Sequence, residues 1–137
     1  MPSAPDSKNR DHATSLAGKV IVLLEDDELI RRATERMLSR FGAEVVTGAG
    51  SAEVLAAISD RKLTPSCIVA DYWLNRDEDG LTAAKAVRAA AGTPLQGLII
   101  TGDPSDEVAS NVAKAGFRLM RKPVNVDSFL DALSINS

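Results

Sequence analysis

Acidic, hydroxyl and amine side chains follow four short, largely apolar segments of this sequence. Taken singly, each has an ordinary explanation, because Asp at a strand end is common turn chemistry and acids at a helix start complement the helix dipole. Their recurrence after four separate segments is harder to explain in that way and suggests one shared site. The four are the acidic residues 25–28 after 19–24, Asp71 after 67–70, Thr101 after 97–100, and Lys122 with Pro123 after 117–120.

Side chains of these types, if brought together, are suited to accepting a phosphoryl group. Carboxylates packed together repel one another, which raises their pKa values, and a bound cation relieves that repulsion. Donors that are all oxygen, without histidine or thiolate, favour Mg²⁺ over zinc. A carboxylate such as Asp71 beside Mg²⁺ can form an acyl phosphate, with Lys122 neutralising phosphoryl oxygens and Thr101 donating a hydrogen bond to one of them.

The elements that must position these residues alternate regularly along the chain. Short apolar runs rich in β-branched residues alternate with segments of helical spacing, which predicts βαβ units and a parallel sheet covered on both faces. We predict an α/β fold with a doubly wound, five-stranded parallel sheet of flavodoxin-like order 2-1-3-4-5 and helices on both faces. The predicted strands are residues 19–24, 43–47, 67–70, 97–100 and 117–120.

The predicted strand order also indicates where in the fold the site lies. Ligands bind to open α/β sheets beyond the carboxyl ends of the strands, at the switch point of the topology. In the order 2-1-3-4-5 that point lies between the first and third strands, so Asp71 and the acidic residues 25–28 become neighbours. Thr101 and Lys122 would line the adjoining wall of the same crevice.

Helix signals occur between the strands. Ser51 and Ser105 are predicted N-caps of two helices, and the last helix is predicted over 126–133. The first helix ends at Gly42. Its apolar residues recur at helical spacing; they are Ile30, Ala33, Met37, Leu38 and Phe41.

Length and composition restrict the class of protein. We expect residues 1–17 to be a flexible polar leader and residues 18–134 to form one domain, which leaves no room for an output domain in 137 residues. A net charge of −3 argues against direct nucleic-acid binding. No apolar run approaches the roughly 20 residues of a membrane helix, and the first residues lack a signal-peptide core. With one cysteine, Cys67, in an apolar run and one histidine, His12, in the leader, we expect a cytoplasmic protein without histidine-based catalysis.

Four motifs in this order resemble the receiver domain of two-component response regulators. They are VIVLLEDDELIRR, IVADYWL followed by DG, LIITGD and RLMRKPV. The resemblance covers about residues 18–134, and the order and spacing of the motifs are specific. It implies a phosphorylation-dependent signalling switch in a His-to-Asp phosphorelay, with a histidine kinase or histidine phosphotransfer protein as the donor and Mg²⁺ as the cofactor. Such a protein catalyses only its own phosphorylation and dephosphorylation.

The resemblance assigns a role to each matched residue. Asp71 is the phosphoacceptor, Thr101 the switch hydroxyl and Lys122 the phosphate-binding lysine, with a cis bond between Lys122 and Pro123. The metal ligands are Asp26 and Asp71 directly, Glu25 through water, and the backbone carbonyl of Trp73. A one-residue slip would make Asp26 and Asp27 the acid pair instead.

Partner contact is also implied. The first helix carries Arg31, Arg32, Arg36 and Arg40, which are either a solvated face or the surface that docks to the donor's helical domain. Homodimer formation remains open.

Some features depart from the family pattern, and two other functions compete. Leu119 occupies the position of a frequent aromatic readout residue, and the ending GFRLMRKPV is similar to the C-terminal receivers of hybrid histidine kinases. One competing function is a phosphatase of haloacid-dehalogenase type, but that family places a second Asp where Trp73 stands here. The other is an interaction scaffold that is never phosphorylated.

Overall fold

Five parallel strands form a single sheet at the centre of the molecule. The computed structural model describes residues 15–74, 78–92, 95–102 and 105–134. The sheet has the order β2-β1-β3-β4-β5, so the predicted α/β class and strand order are confirmed. The strands are β1 (Val20–Leu24), β2 (Glu44–Gly48), β3 (Cys67–Asp71), β4 (Gln96–Thr101) and β5 (Arg118–Arg121), each within one residue of its predicted bounds.

Five helices connect and cover the strands. They are α1 (Glu28–Arg40), α2 (Ser51–Arg61), α3 (Gly80–Ala91), α4 (Asp106–Lys114) and α5 (Val126–Ser134). Alternate residues of each central strand point to opposite faces, which divides the core in two. On one face Val22 and Leu24 pack with residues of α2, α3 and α4, and on the other Ile21 and Leu23 pack with residues of α1 and α5.

The predicted N-cap Ser105 and the predicted start of the last helix at residue 126 are confirmed, whereas the N-caps Asp27 and Asp79 were not predicted from the sequence. Asp27, Asp79 and Ser105 are N-caps whose side chains accept hydrogen bonds from the first turns of α1, α3 and α4. The prediction that Ser51 is an N-cap was wrong, because Gly50 takes that position in extended backbone and Ser51 is the first helical residue. A glycine N-cap has no side chain to satisfy the free N–H groups of the first turn.

The packed part of the chain begins before β1. Leu16, in the segment expected to be a leader, is fully buried beneath α1 and α5, and its backbone N–H donates to the carbonyl of Phe41 at 3.0 Å. Residues 1–14, including His12, lie outside the described residues, as does Pro94.

Cys67 is buried in β3, and burial raises the pKa of its thiol to about 11, so it is protonated at neutral pH. No helix in the described ranges is both long enough and apolar enough to span a bilayer.

Gly97 in β4 is pressed against the Phe117 ring, so a Cβ at position 97 would overlap the ring's edge. The guanidinium of Arg88 lies 4.2 Å from the centroid of that ring and also donates to the carbonyl of Ala115 at 2.8 Å. Phe117 therefore cannot turn aside without breaking contacts at the end of α4.

We expect Gly97→Ala to lower the free energy of unfolding by about 1–3 kcal/mol, the usual range for overpacking a core. Gly102→Ala is the matched control, because a Cβ there meets no atom within 4 Å. Urea denaturation of both variants measures the difference. Equal stabilities for the two variants would contradict the packing described here.

Candidate functional site

The polar residues at the strand ends meet at one edge of the sheet. Asp71 is the last residue of β3 and Thr101 the last residue of β4, while Glu25 and Lys122 follow β1 and β5 directly. The register places Leu24 beside Ala70 and Asp71 beside Ile100. Parallel pairing therefore brings side chains that are distant in sequence to the same edge.

Asp71 and Lys122 form an ion pair at the centre of this edge. The ammonium of Lys122 lies 2.8 Å from Oδ2 of Asp71, and the side chains are 44% and 11% exposed, respectively. The hydrogen bond to Asp71 is the main reason that the pKa of Lys122 is raised. The other oxygen, Oδ1, accepts from the backbone N–H of Trp73 at 3.3 Å. Both carboxylate oxygens of Asp71 are thus oriented by donors.

The backbone holds this pair in place. The N–H of Lys122 donates to the carbonyl of Thr101 at 2.9 Å, and the N–H of Tyr72 donates to the carbonyl of Ile100 at 2.8 Å. The Lys122–Pro123 bond is cis, as expected. These contacts connect the ends of β3, β4 and β5, so the position of the ammonium relative to Asp71 is set by the sheet.

Glu25 is a buried acid beside Asp71. Burial is the largest cause of the rise in its pKa to about 7, and the charges of Asp71 and Asp26 raise it further. A hydrogen bond from the backbone N–H of Asp27 at 3.1 Å and the charge of Lys122 oppose that rise. The charges of Asp71 and Asp26 therefore act on the Glu25 carboxylate, which shows that these acids lie close to it.

Asp27 has a different environment from Glu25. Its Oδ1 accepts the N–H of Ile30 at 3.1 Å, so this carboxylate is engaged as the N-cap of α1. Asp26, which lies between Glu25 and Asp27 in the sequence, is exposed. Arg31 donates from its guanidinium to the carbonyl of Glu25 at 2.8 Å, which fixes the turn that carries the acids. The sequence did not predict this contact between Arg31 and the backbone of Glu25.

Thr101 and Trp73 differ sharply in exposure. Thr101 is fully buried at the end of β4, whereas Trp73 is 58% exposed and contacts Tyr72 edge to face, with ring centroids 4.9 Å apart. Leu119 lies beside Ile99 in the sheet and packs partly buried against the α2–α4 side of the core. An aliphatic side chain thus occupies the place where the family often carries an aromatic one.

The donor set fits Mg²⁺. Within the described ranges no three His, Cys, Asp or Glu side chains are close enough to form a complete metal cage. Mg²⁺ does not require one, because it usually keeps several waters and takes one or two carboxylates. Asp71 and Asp26, with the buried acid Glu25 behind them, supply oxygen donors and an excess of negative charge. These residues are compatible with a hydrated divalent cation.

A pocket of about 360 Å³ opens beside the acids between α1 and α5. Glu25, Asp71 and Lys122 line its polar end, and its walls are mainly apolar. Helical spacing alone does not show burial in α1, because Ile30 is 48% exposed and Ala33 is exposed. Leu38 alone among the residues of α1 is fully buried, so the first turns of this helix leave apolar surface uncovered.

Comparisons with known proteins agree with this geometry. The family model described as "Response regulator receiver domain" matches residues 21–134. A chemotaxis protein, CheY4 of Vibrio cholerae, is 25% identical with a TM-score of 0.75, over 88% of this chain and 100% of that one. A CheY-like receiver domain protein from Methanospirillum hungatei is 25% identical with a TM-score of 0.73, over 85% and 91%. A search of curated protein sequences found no significant match.

The raised pKa of Glu25 has a consequence for stability. Its folded-state pKa of about 7 exceeds the ordinary value of 4.5, so the folded chain binds more protons than the unfolded chain between these pH values. The stability contributed by protonated Glu25 is therefore lost as pH rises from 4.5 through 7.

We expect Glu25→Gln to raise the free energy of unfolding at pH 8 by about 1–3 kcal/mol, because the neutral amide removes this loss and can still accept from Asp27. Urea unfolding in the presence of a chelator, at pH 5 and pH 8, measures the effect. The gain should shrink at pH 5. A gain of the same size at both pH values would show that titration of Glu25 is not its cause.

Proposed function

This chain belongs to the response regulator receiver domain family, and we propose that it is a phosphorylation-dependent switch whose phosphoacceptor is Asp71. The observation that carries the proposal is the Asp71 carboxylate, paired with Lys122 at 2.8 Å beside the buried acid Glu25. The donor is a phosphohistidine of a histidine kinase or a histidine phosphotransfer protein. In the transfer, the phosphorus–nitrogen bond breaks and its electron pair returns to the imidazole, while an oxygen of Asp71 forms the new bond to phosphorus.

The residues around Asp71 have separate tasks in this reaction. Lys122 is already within hydrogen-bond distance of the carboxylate, so its ammonium can follow charge onto the phosphoryl oxygens. Thr101 is buried at the end of β4, one residue after Ile100, which pairs with Asp71 in the sheet. Its hydroxyl would turn toward a phosphoryl oxygen. The backbone N–H of Trp73 keeps the second oxygen of Asp71 oriented.

Asp26 and Asp71 would hold Mg²⁺ directly, Glu25 through water, and Trp73 by its carbonyl. The engagement of Asp27 as the N-cap of α1 favours Glu25 and Asp26 over Asp26 and Asp27 as the acid pair. The ion would neutralise charge on the phosphoryl oxygens. The arrangement supports one transfer to the protein itself better than repeated turnover of a substrate.

The competing functions receive less support. A phosphatase of haloacid-dehalogenase type needs a general acid two residues after its nucleophile, and Trp73 cannot transfer a proton there. The acids at 25 and 26 also precede Asp71 in the chain, whereas that family has the reverse order. A scaffold that is never phosphorylated would have no need for a buried acid with a raised pKa, because such an acid lowers stability.

We expect one phosphoryl mass to be added when the protein is incubated with Mg²⁺ and acetyl phosphate, and none to be added to Asp71→Asn. Mass spectrometry of the intact chain measures both. Asp106→Asn, at an exposed acid in the first turn of α4, is the control and should be labelled like the wild type. An unlabelled wild type, or a fully labelled Asp71→Asn, would refute the proposal.

The surface beside the site is suited to the donor's histidine-bearing helical domain. Leu29 and Ile30 are 79% and 48% exposed at the start of α1, next to the apolar pocket. Arg36 is exposed on the same helix and makes no ion pair with any described residue, whereas Arg32 pairs with Glu28 at 2.6 Å. Uncovered apolar side chains with an unpaired cation at their rim resemble the composition of an interface.

We expect Arg36→Glu to slow phosphotransfer from a histidine kinase at least about fivefold, because a rim charge mainly affects association. A panel of kinases would first identify the fastest donor, and the rate from acetyl phosphate should stay unchanged in the variant. Lys85→Glu, on α3 at the other face of the sheet, is the matched control. Equal kinase rates for the two variants would exclude α1 as the docking surface.

A further inference from the structure

Ser51, the first residue of α2, contacts Glu78 in the segment between β3 and α3. The backbone N–H of Ser51 donates to Oε1 of Glu78 at 3.0 Å, and its hydroxyl donates to Oε2 at 2.7 Å. The two residues are 27 positions apart. The backbone N–H at the start of α2 is therefore hydrogen-bonded to a carboxylate from another part of the chain.

The local sequence explains why α2 accepts this remote partner. Its N-cap is Gly50, which has no side chain to bond the first N–H groups. Glu53, in the first turn, instead receives the N–H of Ala49 at 2.8 Å, which lies outside the helix. A helix start also favours negative charge. The carboxylate of Glu78 supplies both the acceptor and the charge at Ser51.

Residues next to Glu78 are attached to Asp71. Asp79 accepts the N–H of Thr82 at 2.7 Å as the N-cap of α3, and the N–H of Gly80 donates to the carbonyl of Tyr72 at 2.6 Å. Gly80 also lies against the carbonyl of Asp71 so closely that a Cβ would overlap it. The contact with Ser51 therefore restrains Glu78 and, two residues later, Gly80. Gly80 in turn restrains the peptide between Tyr72 and Trp73 through its hydrogen bond to the Tyr72 carbonyl.

The orientation of that peptide matters at the site. The N–H of Trp73 donates to Oδ1 of Asp71, and the carbonyl of the same residue is assigned to the metal under the proposed function. The carbonyl of Tyr72, which Gly80 holds, and the N–H of Trp73 belong to one rigid peptide plane, so a rotation of that plane would displace the donor to Asp71. It would also move the Cα of Trp73, to which the carbonyl of Trp73 is bonded.

We propose that Ser51 and Glu78 are positioning residues for the metal half of the site. Their contact connects the start of α2 to Gly80 and Tyr72 and thereby keeps the Trp73 backbone in its place beside Asp71. This inference rests on the proposed function, because the carbonyl of Trp73 has its role only if Mg²⁺ binds there. Residues outside the coordination sphere that orient the ligands typically change metal affinity about 10- to 100-fold when removed.

The test is the affinity for Mg²⁺, measured through the fluorescence of Trp73, the single tryptophan of the chain. Glu78→Ala removes both hydrogen bonds and should weaken Mg²⁺ binding about tenfold. Glu78→Gln should restore binding to within about threefold of the wild type, since its amide can still accept from the N–H of Ser51 and donate to its hydroxyl. Ser51→Ala should give an intermediate loss, and adding it to Glu78→Ala should cause no further loss.

Glu53→Ala is the matched control. This substitution removes a carboxylate with the same charge from the same helix start. The Glu53 carboxylate accepts from the N–H of Ala49, so this hydrogen bond does not involve the segment after β3. It should leave the affinity for Mg²⁺ within about twofold of the wild type, even if it lowers stability as much as Glu78→Ala does. Equal losses in Glu53→Ala and Glu78→Ala, or no recovery in Glu78→Gln, would overturn the positioning role.

Hydrogen exchange separates failure of this inference from failure of the proposed function. In the metal-free protein, Glu78→Ala should accelerate amide exchange at Gly80 and Trp73, and Glu53→Ala should not. A wild type that binds no Mg²⁺ and accepts no phosphoryl group would refute the proposed function, whatever the exchange rates. A wild type that does both, with unchanged exchange and affinity in Glu78→Ala, would refute the positioning role alone.

Discussion

Burial of the Glu25 carboxylate, with added repulsion from Asp71 and Asp26 at the ends of β1 and β3, is the physical constraint on which this site depends. Glu25 is buried near Asp71 and Asp26, which raises its pKa to about 7 and disfavours its charged form. Lys122 offsets part of that repulsion by pairing with Asp71 at 2.8 Å. An arrangement that lowers stability in this way is expected at a functional site, where a bound cation or phosphoryl group changes the balance of charge.

The sheet makes this arrangement possible because it fixes four backbone segments independently of their side chains. Lys122 is held by the carbonyl of Thr101, and Tyr72 by the carbonyl of Ile100. Arg31 secures the turn at Glu25 from the helix side. The backbone around the acids and the ammonium is therefore held by several hydrogen bonds, whereas in the adjoining α1 only Leu38 is buried.

The two sides of the sheet make different contributions. The face under α2, α3 and α4 contains the Gly97–Phe117 contact and the aliphatic residue Leu119, so its packing is tight near β4 and β5. The face under α1 and α5 contains the apolar pocket that ends at Asp71 and Lys122. Phosphorylation would alter the charge at the edge of the sheet between these two faces. Because residue 119 is Leu, rotation of an aromatic ring at this position cannot report phosphorylation to a partner.

The pattern of residues was sufficient to predict the fold class, the strand order and the bounds of every strand to within one residue. Strand periodicity, helix spacing and the handedness of βαβ units leave few arrangements of five such units. It also predicted the residues that meet at the strand ends, since their position after each strand follows from the same pattern. The individual roles of Asp71, Thr101, Lys122 and the acids remain predictions drawn from family resemblance.

Contacts between segments that no local pattern connects arise only in the folded chain. Ser51 reads as an N-cap, but Gly50 took that position and Glu78, 27 residues away, bonds Ser51 instead. Ile30 and Ala33 share the helical spacing of the apolar residues of α1, but both are exposed in the folded chain. Periodicity reports which side chains are apolar, whereas burial depends on how much surface the neighbouring elements supply, and that quantity exists only once the chain has packed.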